Sequence, residues 1–107
     1  MKDEERARSI NVLSKEEKMS YVKEHPWAIK YLTNQDEDVV IEALRANPKV
    51  LCLVRKQTEQ ECKIAILGDY TAIAYARGLT HDLVHTALDK NVDAKYYLPE
   101  DWFNKVK

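Results

Sequence analysis

Residues 47–68 read NPKVLCLVRKQTEQECKIAILG, and this stretch decides the fold because a similar one lies on either side of it. At a shift of 22 positions its first residue aligns with His25, Asp69 and Asn91, and three of the four are good helix N-caps. The next column is Pro26, Pro48, Tyr70 and Val92. Proline suits the first helical turn, where its missing N–H is not needed. Ala28, Val50, Ala72 and Ala94 follow, then Ile29, Leu51, Ile73 and Lys95. Tyr31, Leu53, Tyr75 and Tyr97, with Leu32, Val54, Ala76 and Leu98, complete the apolar positions of a short helix.

A second cap column, Asp36, Thr58 and Thr80, opens a longer helix. Its apolar columns are Val40, Cys62 and Val84, then Ala43, Ala65 and Ala87, then Leu44, Ile66 and Leu88. Apolar residues three and four apart mark one helical face. The alanine column leaves room for a neighbouring helix to approach closely. Each unit therefore reads as a helix of about two turns, a short turn, and a helix of about three turns. Such helices are marginal alone and are stable only when stacked on the next unit. The expected fold is all-α: short two-helix repeats stacked as a small α-solenoid or helical bundle.

Working outward, the 107 residues form one domain. Residues 1–24 are a degenerate N-terminal cap unit, 25–46, 47–68 and 69–90 are repeats, and 91–107 are a partial repeat and C-terminal cap. Ser14 and Glu17 spell a capping box for a helix that turns Met19 and Val22 inward and ends before Pro26. Asp3 to Val12 reads as a further amphipathic helix, with Ala7, Ile10 and Leu13 on one side. Pro99 stops a helix, and Asp101, Trp102 and Phe103 cap the open end of the stack.

Composition narrows the function. Two glycines and three prolines are too few for the turns of a β-protein of this length. A net charge of −1 argues against binding nucleic acid through a general positive field. No apolar run approaches the roughly 18 residues of a membrane span, and the start, Met1 to Glu5, is too charged for a secretory signal. Cys52 and Cys62 are accordingly expected as free thiols in a reducing cytoplasm. Cys62 falls in a core column, and Cys52 falls in a more exposed one with Lys30, Ala74 and Tyr96.

Asn47-Pro48-x-x-Leu51, the pair Tyr31-Leu32, the capped Thr58-Glu59-Gln60 and the Ala-Leu or Ala-Ile pairs resemble short helical repeats of phage, prophage and giant-virus proteins, among them the group called domain of unknown function 4116. The resemblance covers about residues 25–98 and departs from the motif at Lys95 and at the missing proline of the third unit. It brings no catalytic residues. It implies a phage or mobile-element origin and a protein that binds, and inhibits, a host factor in the host cytoplasm.

Each chemical motif has a plainer reading. His81 and His85 have the i, i+4 spacing of a metal face, but a third ligand would have to be the distant His25 or Asp82. No metal or cofactor is expected. Asp36, Glu37 and Asp38 sit at a helix N-terminus, where the dipole favours carboxylates. Tyr31, Tyr75 and Tyr97 form a ladder, expected to pack into the core with hydroxyls at its edge. Trp27, Tyr70, Tyr96 and Trp102 do not fit the buried columns, and with Arg55 and Arg77 they are the candidate partner-binding residues. The expected function is a non-enzymatic protein-interaction module with a protein partner or a second copy of itself. The alternative is nucleic-acid binding through the local cluster Lys49, Arg55, Lys56 and Lys63.

Overall fold

The cap residues set the architecture. In the computed structural model, which describes residues 9–106, α-helices run over Lys15–Glu24 (α1), Glu37–Ala46 (α2), Glu59–Gly68 (α3) and His81–Lys90 (α4), each starting 22 residues after the last. Between them lie 3-10 helices: Ser9–Val12 (η1), Pro26–Tyr31 (η2), Pro48–Leu53 (η3), Tyr70–Tyr75 (η4) and Val92–Tyr97 (η5). A final α-helix, Glu100–Val106 (α5), follows Pro99. The fold is all-α, with no strand among the described residues.

One residue per unit joins the two helix types. The N–H of Asn47 donates to the Ala43 carbonyl to close α2, while its side-chain oxygen accepts from the Lys49 N–H at 3.1 Å to open η3. Asp69 and Asn91 do the same through Thr71 and Asp93. The short Asn/Asp side chain is what lets one residue end one helix and start another. His25 closes α1 but offers no side-chain cap to η2; its ring stacks 4.8 Å from Tyr21 instead. At the second cap, Ser14 and Thr58 form full capping boxes with Glu17 and Glu61, and Asp36 and Thr80 cap alone.

The α-helices form one row and the 3-10 helices a second row packed against it. Among the described residues each helix touches only its own and the adjoining units: α1 meets α2, α2 meets α3, α3 meets α4, and η2 to η5 each lie between two successive α-helices, while η1 packs on α1 and η2. A 3-10 helix rises about 2.0 Å per residue, so six residues span roughly 12 Å, close to the roughly 15 Å of ten α-helical residues. The rows therefore match in width. The molecule extends 48 Å along its longest axis and 23 and 19 Å across.

The core lies between the rows. Ala43, Ala65 and Ala87 are fully buried, as are Leu44 and Ile66 in the column beside them. Ile29, Leu51 and Ile73 bury from the opposite row. The exception is Leu88, which is half-buried because no α-helix follows in register to cover it. Most of the Asp3–Val12 helix expected from sequence falls outside the described residues. Ser9–Val12 is a single 3-10 turn that buries Ile10 and leaves Val12 exposed. Gly68 ends α3 where a Cβ would stand 2.8 Å from Pro48 Cγ, so the close approach of α3 to η3 uses the missing side chain.

Polar staples tie successive turns together. Gln35 donates through Nε2 to the carbonyls of Ile29 and Leu53, and its Oε1 accepts from the Arg55 N–H. Gln57 repeats this with Leu51, Tyr75 and Arg77. The guanidinium groups reach back: Arg55 donates to the Leu32 and Thr33 carbonyls, Arg77 to those of Val54 and Arg55. At the leading edge Asn11 does the same job for the first repeat, donating to the Tyr31 carbonyl and accepting from the Thr33 N–H, each at 2.8 Å.

Candidate interaction surface

The three-residue turn of a 3-10 helix decides which side chains face out. Residues three apart eclipse one another, so Trp27 lies in line with Lys30, Lys49 with Cys52, Thr71 with Ala74, and Asp93 with Tyr96. These pairs form the outer surface of the 3-10 row, and all are exposed save the half-buried Trp27 and Thr71. The tyrosine column lies in line with the buried Ala28, Ala72 and Ala94 and sits at the rim. Tyr31 is half-buried, but Tyr75 and Tyr97 are 40% and 42% exposed. The expected burial of this ladder therefore fails for its last two members.

Five of the six candidate partner-binding residues lie on the 3-10 row or its turns. Tyr96 is exposed, and Trp27 and Tyr70 are half-buried, packing edge-on against Tyr31 at 6.3 Å and Tyr97 at 6.0 Å. Burial pushes the Tyr70 phenol above its usual range, helped by Tyr97 and by the charge of Asp93. Arg55 and Arg77 are exposed on the turns, with their guanidinium groups engaged by the preceding turn's carbonyls. Trp102 lies apart, on α5, half-buried with its ring 5.0 Å from His81.

Charge separates between the rows. The 3-10 segments and the turns after them (25–35, 47–57, 69–79 and 91–99) carry Lys30, Lys49, Arg55, Lys56, Arg77 and Lys95 against Asp69 and Asp93 alone. The capped α-helices (14–24, 36–46, 58–68 and 80–90) carry eleven carboxylates against six cations. A chain of net charge −1 thus has one basic row and one acidic row. The sequence cluster Lys49, Arg55, Lys56 and Lys63 is divided by this arrangement: Lys63 belongs to the α row, where it pairs with Asp82 at 3.4 Å. A cleft of about 290 Å³ lies at the first turn, lined by Thr33, Asn34, Gln35, Arg55 and Lys56.

The other chemical candidates are scattered. His81 and His85 are both exposed on α4, Asp82 is engaged by Lys63, and His25 packs between Tyr21 and Trp27 on the first repeat. Among the described residues no three His, Cys, Asp or Glu side chains converge as metal ligands. Asp36 caps α2 through the Asp38 N–H, and both carboxylates face Lys15. Cys52 is exposed, whereas Cys62 is 2% exposed, and burial, reinforced by the Glu61 charge, pushes its thiol pKa up. A disulfide-exchange reagent is therefore expected to titrate Cys52 promptly and Cys62 only on unfolding. Equal rates for the two thiols in native protein would contradict the placement of Cys62. No helix among the described residues is long and apolar enough to cross a membrane.

A scan against protein-family models, a search of curated proteins and a search of solved structures each return no match.

Proposed function

We propose that this protein is a non-enzymatic protein-interaction module that meets its partner with the outer surface of the 3-10 row. The observation that carries the reading is where exposed apolar surface collects. Of the large hydrophobic side chains left exposed among the described residues, Tyr75, Val92, Tyr96 and Tyr97 lie together on η4 and η5, while Val12 on η1 and Leu67 on α3 lie apart from them. Clustered exposed aromatics accompanied by arginine are the usual anchors of protein interfaces. The stacking core employs the remaining apolar side chains, and the histidines, thiols and carboxylates stand apart from one another. The motif's likeness to viral repeats favours a phage-encoded protein acting on a host factor in the cytoplasm.

The test is affinity capture from host-cell lysate with the native chain and with a Tyr96→Ser/Tyr97→Ser variant. The expected result is a protein retained by the native chain and lost from the variant, insensitive to nuclease. Retention that is identical for both chains, or that disappears on nuclease treatment, would overturn the reading.

A further inference from the structure

The net positive charge and the exposed aromatics on the 3-10 row are concentrated in different halves of it. Lys30, Lys49, Arg55 and Lys56 belong to the first two repeats, and Arg77 continues into the third. The exposed Tyr75, Val92, Tyr96 and Tyr97 belong to the third repeat and the partial fourth, where Asp69 and Asp93 offset Arg77 and Lys95. In the cationic half Trp27 and Tyr31 are half-buried and pack edge-on, whereas Tyr96 and Tyr97 stay exposed although Tyr96 lies beside Phe103 and Lys95 and Tyr97 beside Tyr70. Lys49 and Lys56 are exposed and make no ion pair among the described residues, so their charge faces solvent.

We infer that this row takes an extended peptide segment with one acidic half and one apolar or aromatic half, laid along the stack from the first repeat to the fourth. This rests on the protein-interaction reading and specifies its partner. Charge complementarity fixes the acidic half, and the exposed tyrosines and Val92 fix the other. Neighbouring helices pack about 10 Å apart, so the row from first to fourth unit runs roughly 30 Å. An extended chain advances about 3.3 Å per residue, so nine or ten residues, roughly, cover it. Alternate residues of such a strand face one side, so the acidic half presents about two or three carboxylates to Lys30, Lys49 and Lys56.

Nucleic acid fits less well. A duplex presents one negative charge per roughly 1.7 Å, far more over 30 Å than the row has cations. Single-stranded binding needs bases stacking on aromatic faces interleaved with the cations, and here the exposed Lys49 and Lys56 stand in the second repeat while Tyr96 and Tyr97 stand in the fourth.

The probe is a fluorescein-labelled synthetic peptide of about 12 residues, with glutamates alternating through one half and leucine and tyrosine through the other. Its anisotropy is titrated with the full chain, beside a scrambled peptide of equal composition and a 12-nucleotide oligothymidine as controls. The expected result is saturable binding of the segmented peptide, weakened about tenfold or more by Lys49→Glu/Lys56→Glu and by Tyr96→Ser/Tyr97→Ser, and unchanged by Lys63→Glu on the α row. All five positions are solvent-exposed, and circular dichroism and a thermal melt establish that each variant is folded. The inference is overturned if the scrambled peptide binds as well, if the Lys49/Lys56 reversal changes nothing, or if oligothymidine binds more tightly. If the peptide does not bind while lysate capture still depends on Tyr96 and Tyr97, the inference falls and the interaction reading stands. If both fail, both fall.

Discussion

Replacing Ile66 with alanine is expected to cost about 2–5 kcal/mol of unfolding free energy, and Leu44→Ala the same. Both side chains are fully buried in the α row, each under the following repeat. The cost includes the lost transfer of the side chain from water and the cavity left behind, which fixed helices on either side cannot collapse to fill. A chain of this size has only about 5–15 kcal/mol in total. Since no single unit is stable alone, the loss should appear as a lower midpoint of the whole transition, with no separate unfolding of one repeat. Leu88→Ala is the internal comparison. Leu88 occupies the same column but is half-buried at the end of the row, so it should cost about half as much. Urea titrations of the three variants read this directly. Equal losses at all three positions, or none at Ile66, would contradict the stacked core.

Most of this fold was legible in the sequence because its determinants are local and repeat. The Asn/Asp column, the second cap column, the alanine column and the Leu/Ile column each stand 22 residues apart, and each does in space what its chemistry implies. Ser14 with Glu17 announced the start of α1 for the same reason. Two features were not read. The first was the helix type of the shorter segment. Six residues opened by proline suit either an α or a 3-10 turn, and the choice depends on matching the width of the α row, which is a tertiary constraint. The exposure of Tyr75 and Tyr97 was not legible from their column either.

The second was the staple. Gln35 and Gln57 stand 22 apart, as do Arg55 and Arg77, so the signal was present. It lies outside the apolar columns, and Arg55 and Arg77 read from sequence as surface residues, Arg55 also as part of the basic cluster. Their guanidinium groups also hold successive turns together, so truncating either would perturb packing and binding at once. That is why Lys49 and Lys56, exposed and in no ion pair among the described residues, are the cleaner probes of the row's charge. The separation of the two rows by charge was hidden for a related reason. Summed by repeat, acid and base merely alternate; summed by row, they part, and the rows are known only once the units are stacked.

Gln57→Leu is expected to cost about 2–4 kcal/mol, although it keeps nearly the same volume. The amide makes three backbone bonds, two of which join the second repeat to the third: Nε2 to the Leu51 and Tyr75 carbonyls, both at 3.0 Å, and Oε1 from the Arg77 N–H at 2.8 Å. Leucine removes all three bonds, although the Leu51 carbonyl still accepts from the Val54 N–H. Each loss would approach 1–3 kcal/mol if fully buried, but the turn is partly open and water recovers some of it. The third repeat carries leucine here naturally, Leu79, at the junction where Pro99 replaces the arginine and has no N–H to offer. Leucine is therefore compatible with the helix geometry, and the cost at Gln57 reports the lost bonds. Hydrogen exchange separates this from general destabilisation. The Arg77 amide should exchange faster by more than the global change accounts for, while the Arg55 amide, held by the intact Gln35, should follow the global change only. Uniform acceleration at both amides would mean that Gln57 acts through packing rather than as a tie between repeats.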